Sequence, residues 1–248
     1  MSKTQIITCA VIKGGTGKTT TCAAIAQAAA LDNKKVLAID LDPQANFSFC
    51  LGADKTLPGA YELLNGAFIL DCIQQTEQNI DVIAGAPALA ADNPGKKKNT
   101  IFRLSEALEK VKGFYDLIVI DTPPYFCELT FEALQASIGV LIPMEADAGS
   151  IHGQKHIIEV AKEIKRTNKK LKILGCIITR YNARPVIARK MRDLIIEQGQ
   201  ELKCPLLAEI RQGIAIQEAQ ALNKSIYDYA PKSKPAQDYK ELYNKLFK

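Results

Sequence analysis

The chain has 248 residues, 47% of them hydrophobic and 24% charged, with a formal net charge of +5. This length supports a full buried core, and this apolar content excludes a disordered or fibrous chain. The mild positive charge permits a basic patch without implying nucleic acid; no apolar run reaches membrane-spanning length, and the N-terminus carries no secretory signal.

The first element is an apolar run, Ile6 to Ile12, that reads as a buried parallel strand. It is followed by Lys13-Gly14-Gly15-Thr16-Gly17-Lys18-Thr19-Thr20, and then by an alanine-rich segment, Thr21 to Leu31, that reads as a tightly packed helix. Strand, glycine loop, Lys-Thr and helix is the context of a phosphate-binding loop. Glycines let backbone N–H groups turn inward around an anion, and the helix N-terminus adds partial positive charge. In such a loop Lys18 reaches the β- and γ-phosphates of a nucleotide and the Thr19 hydroxyl ligates Mg²⁺.

A second buried strand, Val36 to Asp40, ends in Asp40-Leu41-Asp42-Pro43-Gln44-Ala45-Asn46. Residues 52–79 read as loop with short helices, Ile80 to Ala84 as a third strand, and the next loop ends in Lys96-Lys97-Lys98, read as a solvated run. Thr100 to Lys112 has helical apolar spacing. Leu117-Ile118-Val119-Ile120-Asp121 is the most apolar strand, stopped by Thr122-Pro123-Pro124. Beyond it come a helix near Glu132 to Ser137, a strand at Gly139 to Pro143, a helix at His152 to Lys165 and a strand at Ile173 to Thr179. A basic helix at Val186 to Glu197 and a short strand at Leu207 to Ile210 complete the alternation. Strands alternating with crossover-length helices give an α/β fold: a mostly parallel, twisted sheet of about seven or eight strands with helices on both faces, of the P-loop NTPase kind. No repeat or linker divides the chain, so residues 1–248 are expected to be a single domain. Seven scattered cysteines without a Cys-x-x-Cys pair indicate buried thiols in a reducing cytoplasm.

The glycine loop, Asp40/Asp42 and Asp121 all fall at C-terminal ends of strands, where α/β sheets place their ligands. Asp121, closing an apolar strand, suits a magnesium partner acting directly or through water. Asp42, on a loop beside the γ-phosphate, suits a group that orients water.

Lys-Gly-Gly-Thr-Gly-Lys-Thr-Thr at 13–20, Asp-Leu-Asp-Pro-Gln-Ala-Asn at 40–46 and Ile-Asp-Thr-Pro-Pro at 120–124 together resemble the ParA/Soj/MinD family of deviant Walker A ATPases. Gly139 to Met144, Thr179 to Arg184 and Tyr229 to Ser233 resemble ParA proteins as well, so the likeness runs through nearly the whole chain. The resemblance implies an ATP-dependent sandwich homodimer in which Lys13 reaches the partner's phosphates, while Lys18 and Thr19 serve in cis. Thr19, Asp42 and Asp121 would hold Mg²⁺, with Asp42 also positioning water. The adenine would lie against the Thr179–Asn182 turn, near Arg180 and Asn182, and against Ile210 and Arg211.

The same resemblance implies nonspecific DNA binding in the ATP state, release by a ParB-like activator, and a cytoplasmic, nucleoid-associated location. Candidate DNA contacts are Arg184, Arg189, Lys190, Arg192, Arg211 and Lys224. Charge alone favours a solvated helix face for them; the resemblance reverses that, because Arg184 matches a family DNA-contact position. One departure stands out: where many ParA proteins carry Pro-Arg-Asn-Val-Arg, this chain has Arg211-Gln212-Gly213-Ile214-Ala215, so an arginine linked to DNA binding is Ala215. The chain begins almost at its first strand, so no N-terminal operator-binding extension, and no autorepression through one, is expected.

Two alternatives remain at this stage. Tyr239, Leu242, Tyr243, Leu246 and Phe247 form an apolar stripe beside Lys240, Lys245 and Lys248, as in membrane-docking MinD relatives. With no Trp and three lysines, a final helix packed on the sheet is favoured and membrane is not expected as a partner. Cys127 lies near the cluster-ligating cysteine of nitrogenase-reductase relatives, but residues 84–95 lack the companion cysteine, so a buried or inert thiol is expected.

Overall fold

The computed structural model describes residues 4–91 and 100–248, so Lys96–Lys98 lie outside the described residues. The strands are β1 (Gln5–Cys9), β2 (Val36–Asp40), β3 (Gln74–Gln75), β4 (Asp81–Ile83), β5 (Leu117–Asp121), β6 (Gly139–Met144), β7 (Lys172–Tyr181) and β8 (Leu206–Arg211). Among the described residues they form one sheet in the order β3-β4-β2-β5-β1-β6-β7-β8. All neighbours pair in parallel except β3 with β4.

Both faces of this sheet are covered, which is why its strands read as continuous apolar runs rather than alternating ones. Leu117 and Val119 of β5 pack to one side with α1 (Lys18–Leu31) and α10 (Lys234–Phe247). Ile118 and Ile120 pack to the other side with α3 (Ala60–Leu64), α4 (Arg103–Glu109) and α5 (Glu128–Ala136). Further along that second face, β6 and β7 are covered by α6 (Ala148–Ile164) and α7 (Val186–Leu202). The short helices α2 (Asn46–Leu51), α8 (Ala215–Ala221) and α9 (Ile226–Tyr229) complete the set described.

Several boundaries differ from the sequence expectation for local reasons. β1 ends at Cys9, not Ile12, because the chain leaves the ladder there to form the glycine loop. α1 begins at Lys18, with Gly17 in the left-handed region (φ 82) as its N-cap. α6 begins four residues before His152, because the Asp147 carboxylate accepts the Ser150 N–H and caps it. β3 is two glutamines, too short and polar to carry a strand pattern.

Helix α1 is buried nearly all round. Its alanines let it approach the sheet, α2 and α10 closely, and this fixes the helix whose N-terminus carries the glycine loop. The C-terminal stripe is part of that packing: Tyr239, Leu242 and Tyr243 are each 1–2% exposed within the core shared with α1. Lys240 and Lys248 both pair with Asp32 at the end of α1, at 3.0 and 2.7 Å. Among the described residues no helix is long and apolar enough to cross a membrane.

Because Leu242 is fully enclosed, Leu242→Ala is expected to cost about 2–4 kcal/mol of stability, read as a lower urea midpoint at unchanged slope. A shift worth less than about 0.5 kcal/mol would mean that α10 is not part of the cooperative core.

Candidate functional site

The register of three strands builds the floor of the site. Cys9 of β1 and Asp40 of β2 both pair with Asp121 of β5, so the strands end level with one another. Above this edge opens a cavity of about 710 Å³ lined by Gly14, Gly15, Gly17, Lys18, Thr19, Thr20, Asp42, Pro124 and Arg180. Ile210 to Ile214, Ile216 and Tyr239 line it as well. Its volume is in the range of a nucleotide or drug-sized ligand.

The glycine loop is shaped by contacts that only glycine permits. A Cβ on Gly17 would lie 3.1–3.3 Å from the Thr179 side chain, on a backbone already at φ 82. Thr179 in turn donates to the Thr16 carbonyl at 2.8 Å, tying the end of β7 to the loop. Lys18 is buried, and its ammonium donates to the Lys13 carbonyl at 3.1 Å. Burial lowers its pKa, an effect that the Asp121 and Asp42 carboxylates partly offset. A buried ammonium facing a loop of backbone N–H groups is a cradle for an anion.

The two strand-end aspartates are fully buried. Burial first, and repulsion from Asp40 second, push the Asp121 carboxyl up to about 8. It accepts a 2.6 Å hydrogen bond from the Thr19 hydroxyl. Burial likewise raises Asp40 to about 6, against three donors: the Ser48 N–H and hydroxyl, each at 2.8 Å, and the Asp42 N–H at 3.0 Å. Asp40 therefore anchors the loop that presents Asp42. Gly85 closes over that loop from β4, where a Cβ would meet the Asp42 carbonyl at 2.8 Å. The Thr19 hydroxyl with the Asp42 and Asp121 carboxylates is an all-oxygen donor set, which fits Mg²⁺ bound jointly with ligand phosphates.

At the mouth of the loop, Lys13 pairs with Asp147 and lies 3.6 Å from Glu145. Burial alone would raise the Asp147 carboxyl, but the Lys13 ammonium and the Ser150 donors outweigh it and hold the pKa below its ordinary value. The other oxygen of Glu145 lies 3.1 Å from Arg180 Nε. Neither carboxylate was anticipated from the sequence, which gives no local sign that the β6–α6 turn faces Lys13.

Of the expected base contacts, Ile210 and Arg211 line the cavity and Asn182 does not. The Asn182 carboxamide oxygen instead accepts the Arg184 N–H at 3.1 Å. Arg180 lines the cavity too, with its Nη2 over Gly15 of the glycine loop. The basic residues also divide. Arg211 is clamped by Asp238 through its side chain and its backbone N–H, at 2.6–3.1 Å. Arg192 pairs with Glu209 and Asp193, and Arg189 donates to the Ala183 and Arg184 carbonyls. Arg184, Lys190 and Lys224 are exposed. Cys127 is the N-cap residue of α5, its thiol 3.9 Å from the Thr130 hydroxyl.

Comparison with known proteins agrees with this geometry. Residues 4–173 match the sequence model of an AAA domain. The chromosome-partitioning ATPase Soj of Thermus thermophilus is 30% identical over 243 residues, covering 97% of this chain and 94% of that one. The sporulation initiation inhibitor protein Soj of Bacillus subtilis is 32% identical over 239 residues, covering 93% of each. Among solved structures, the septum site-determining protein MinD of Pyrococcus horikoshii complexed with Mg-ADP matches with a TM-score of 0.80 at 28% identity, covering 99% of this chain and 96% of that one. Cobyrinic acid a,c-diamide synthase of Mycobacterium smegmatis, with a bound ATP analogue and magnesium, matches at 0.83 and 27%, covering 97% and 93%. The P-loop ATPase fold expected from the sequence is the fold observed.

The raised Asp121 carboxyl has a consequence for stability. Its neutral form supports the fold fully below about pH 4, and that support is lost as pH rises through about 8. Asparagine cannot ionise, so nucleotide-free Asp121→Asn is expected to gain on the wild type between about pH 5 and pH 9, by more than ~1 kcal/mol, in urea unfolding at each pH. A constant difference across that range would show that ionised Asp121 is not a strained charge.

Proposed function

The chain belongs to the ParA/Soj family of P-loop ATPases, and from that premise we propose that it is a partition ATPase that segregates plasmid, conjugative-element or chromosomal DNA. The activity is hydrolysis of ATP to ADP and phosphate with Mg²⁺. In the proposed cycle ATP drives two copies into a sandwich dimer that binds DNA without sequence preference, and a ParB-like partner stimulates hydrolysis and release. The whole chain, residues 1–248, acts as one ATPase domain in the cytoplasm, on the nucleoid while ATP-bound.

The observation that carries this reading is the pair of lysines on one glycine loop. Lys18 is enclosed in the loop, and Lys13 stands at its mouth, paired with Asp147 and Glu145. A lysine outside the pocket supports a role on another copy's nucleotide, in which the loop would be half of a shared site. Lys18 and the backbone N–H groups from Gly14 to Thr20 would hold the phosphates, and the part of the cavity lined by Ile210 and Tyr239 would take the base. Asp42 would orient the attacking water, and Lys13 would neutralise charge developing on the transferred phosphoryl group, as an arginine finger does. Thr19, Asp42 and Asp121 would hold the magnesium ion, whose role is to neutralise phosphate charge. Lys13 must leave Asp147 to do this, which links dimer formation to a rearrangement of the β6–α6 turn. For DNA, the exposed Arg184, Lys190 and Lys224 are the contacts of choice; Arg189, Arg192 and Arg211 have intramolecular partners and would contribute charge around them.

Two experiments test this. Retention on DNA should require ATP, fail with ADP, weaken steeply with salt and be lost in Arg184→Glu. Liposome binding that depends on residues 236–248, without DNA binding, would overturn the partition reading in favour of membrane positioning. In steady-state turnover, Asp42→Ala should reduce hydrolysis by roughly 100-fold while trapping an ATP-bound dimer, and Lys13→Ala should lose partner-stimulated turnover while retaining ATP binding. Normal turnover in Asp42→Ala would remove its assigned role.

A further inference from the structure

We propose that Arg180 is a phosphate-reading arginine of this site, acting in cis beside Lys18, and is not a contact to the base. The inference rests on the ATP reading above and names a residue for the phosphate end of the same cavity.

Arg180 is the next-to-last residue of β7, and its backbone is left-handed at φ 51. The pairing of β7 with β8 is irregular between Ile178 and Tyr181, so the strand turns at this point. One residue earlier, Thr179 is bonded to the Thr16 carbonyl and packed against Gly17, which docks the strand end on the glycine loop. The turn then carries the guanidinium over the loop. A Cβ built on Gly15 would lie 3.5 Å from Arg180 Nη2. Gly15 belongs to the backbone that would enclose the phosphates.

The guanidinium is positioned but not saturated. Its Nε pairs with Glu145 at 3.1 Å, and the side chain is still 48% exposed. A guanidinium carries five N–H donors in a planar fork that matches phosphate oxygens, and an exposed ion pair of this type is weak enough to be rearranged. Glu145 holds Arg180 on one oxygen and faces Lys13 with the other. One carboxylate thus parks two cations at the loop mouth. An arriving polyphosphate offers Arg180 a stronger partner a short distance away. The guanidinium itself lies against Gly15, in the loop that would hold the phosphates, and this contact favours a phosphate role over a base contact.

The test separates the two ends of the nucleotide. Wild type, Arg180→Ala and Arg180→Lys are titrated in Mg²⁺ with ATP, GTP and inorganic tripolyphosphate, by competition against a fluorescent ADP. A phosphate-reading arginine predicts that Arg180→Ala weakens all three ligands by the same factor, about tenfold, with the ATP-to-GTP preference unchanged. Arg180→Lys recovers only part of the loss, because a point charge lacks the fork. A changed ATP-to-GTP preference with unaltered tripolyphosphate binding would overturn the inference in favour of a base contact. Unchanged binding of all three would reduce Arg180 to a surface ion pair. Wild-type protein that binds neither nucleotide nor tripolyphosphate would overturn the ATP reading itself.

Discussion

Two carboxylates without solvent, Asp40 and Asp121, end neighbouring parallel strands in register, and the functional edge of the sheet is arranged around them. Each is disfavoured as an anion by burial; repulsion from Asp40 adds to this at Asp121, and repulsion from Asp42 adds to it at Asp40. The structure answers the two differently. Asp40 is satisfied by three local donors, and in accepting them it folds the 42–48 loop into place. Asp121 has the Thr19 hydroxyl, a weak thiol donor in Cys22 at 3.8 Å, and the field of Lys18. It is the under-compensated member, and so the one that a bound cation would relieve most.

The cations of the site form a complementary series. Lys18 is enclosed and has lost water, so its charge favours an anion in the loop. Lys13 and Arg180 are partly exposed and parked on Glu145 and Asp147. Exposed ion pairs contribute about 0–1 kcal/mol, so these carboxylates hold the two cations only weakly. Arg211 shows the opposite design. Its guanidinium and its backbone N–H both bind Asp238, whose side chain is 9% exposed, so it serves as a strut between β8 and α10.

Much of the fold could be read from adjacent residues. Val36–Asp40 and Leu117–Asp121 have the boundaries that their apolar runs suggest, because strands buried on both faces carry an uninterrupted signal. The phosphate loop was legible for a similar reason: glycine spacing, Lys-Thr and the following helix are consecutive. Elements without a burial pattern of their own were not. β3 is two polar residues at an edge, and α8 and α9 are single short helices held by packing against α1, α2 and each other.

The residue chemistry of the site divides along the same line. By itself the sequence determined the glycine loop, the aspartates that end β2 and β5, and the alternation of strands and helices, since each depends on neighbours within a few positions. Only the tertiary structure decided which charges face which. Lys13 meets Asp147 across 134 residues, Arg180 meets Glu145 and lies above Gly15, and Arg211 is taken by Asp238. Those pairings follow from the order β5-β1-β6-β7-β8, which brings distant strand ends side by side. Charge interactions act through space and leave no mark on sequence spacing, so a count of basic residues could not separate struts from residues that remain exposed for a ligand.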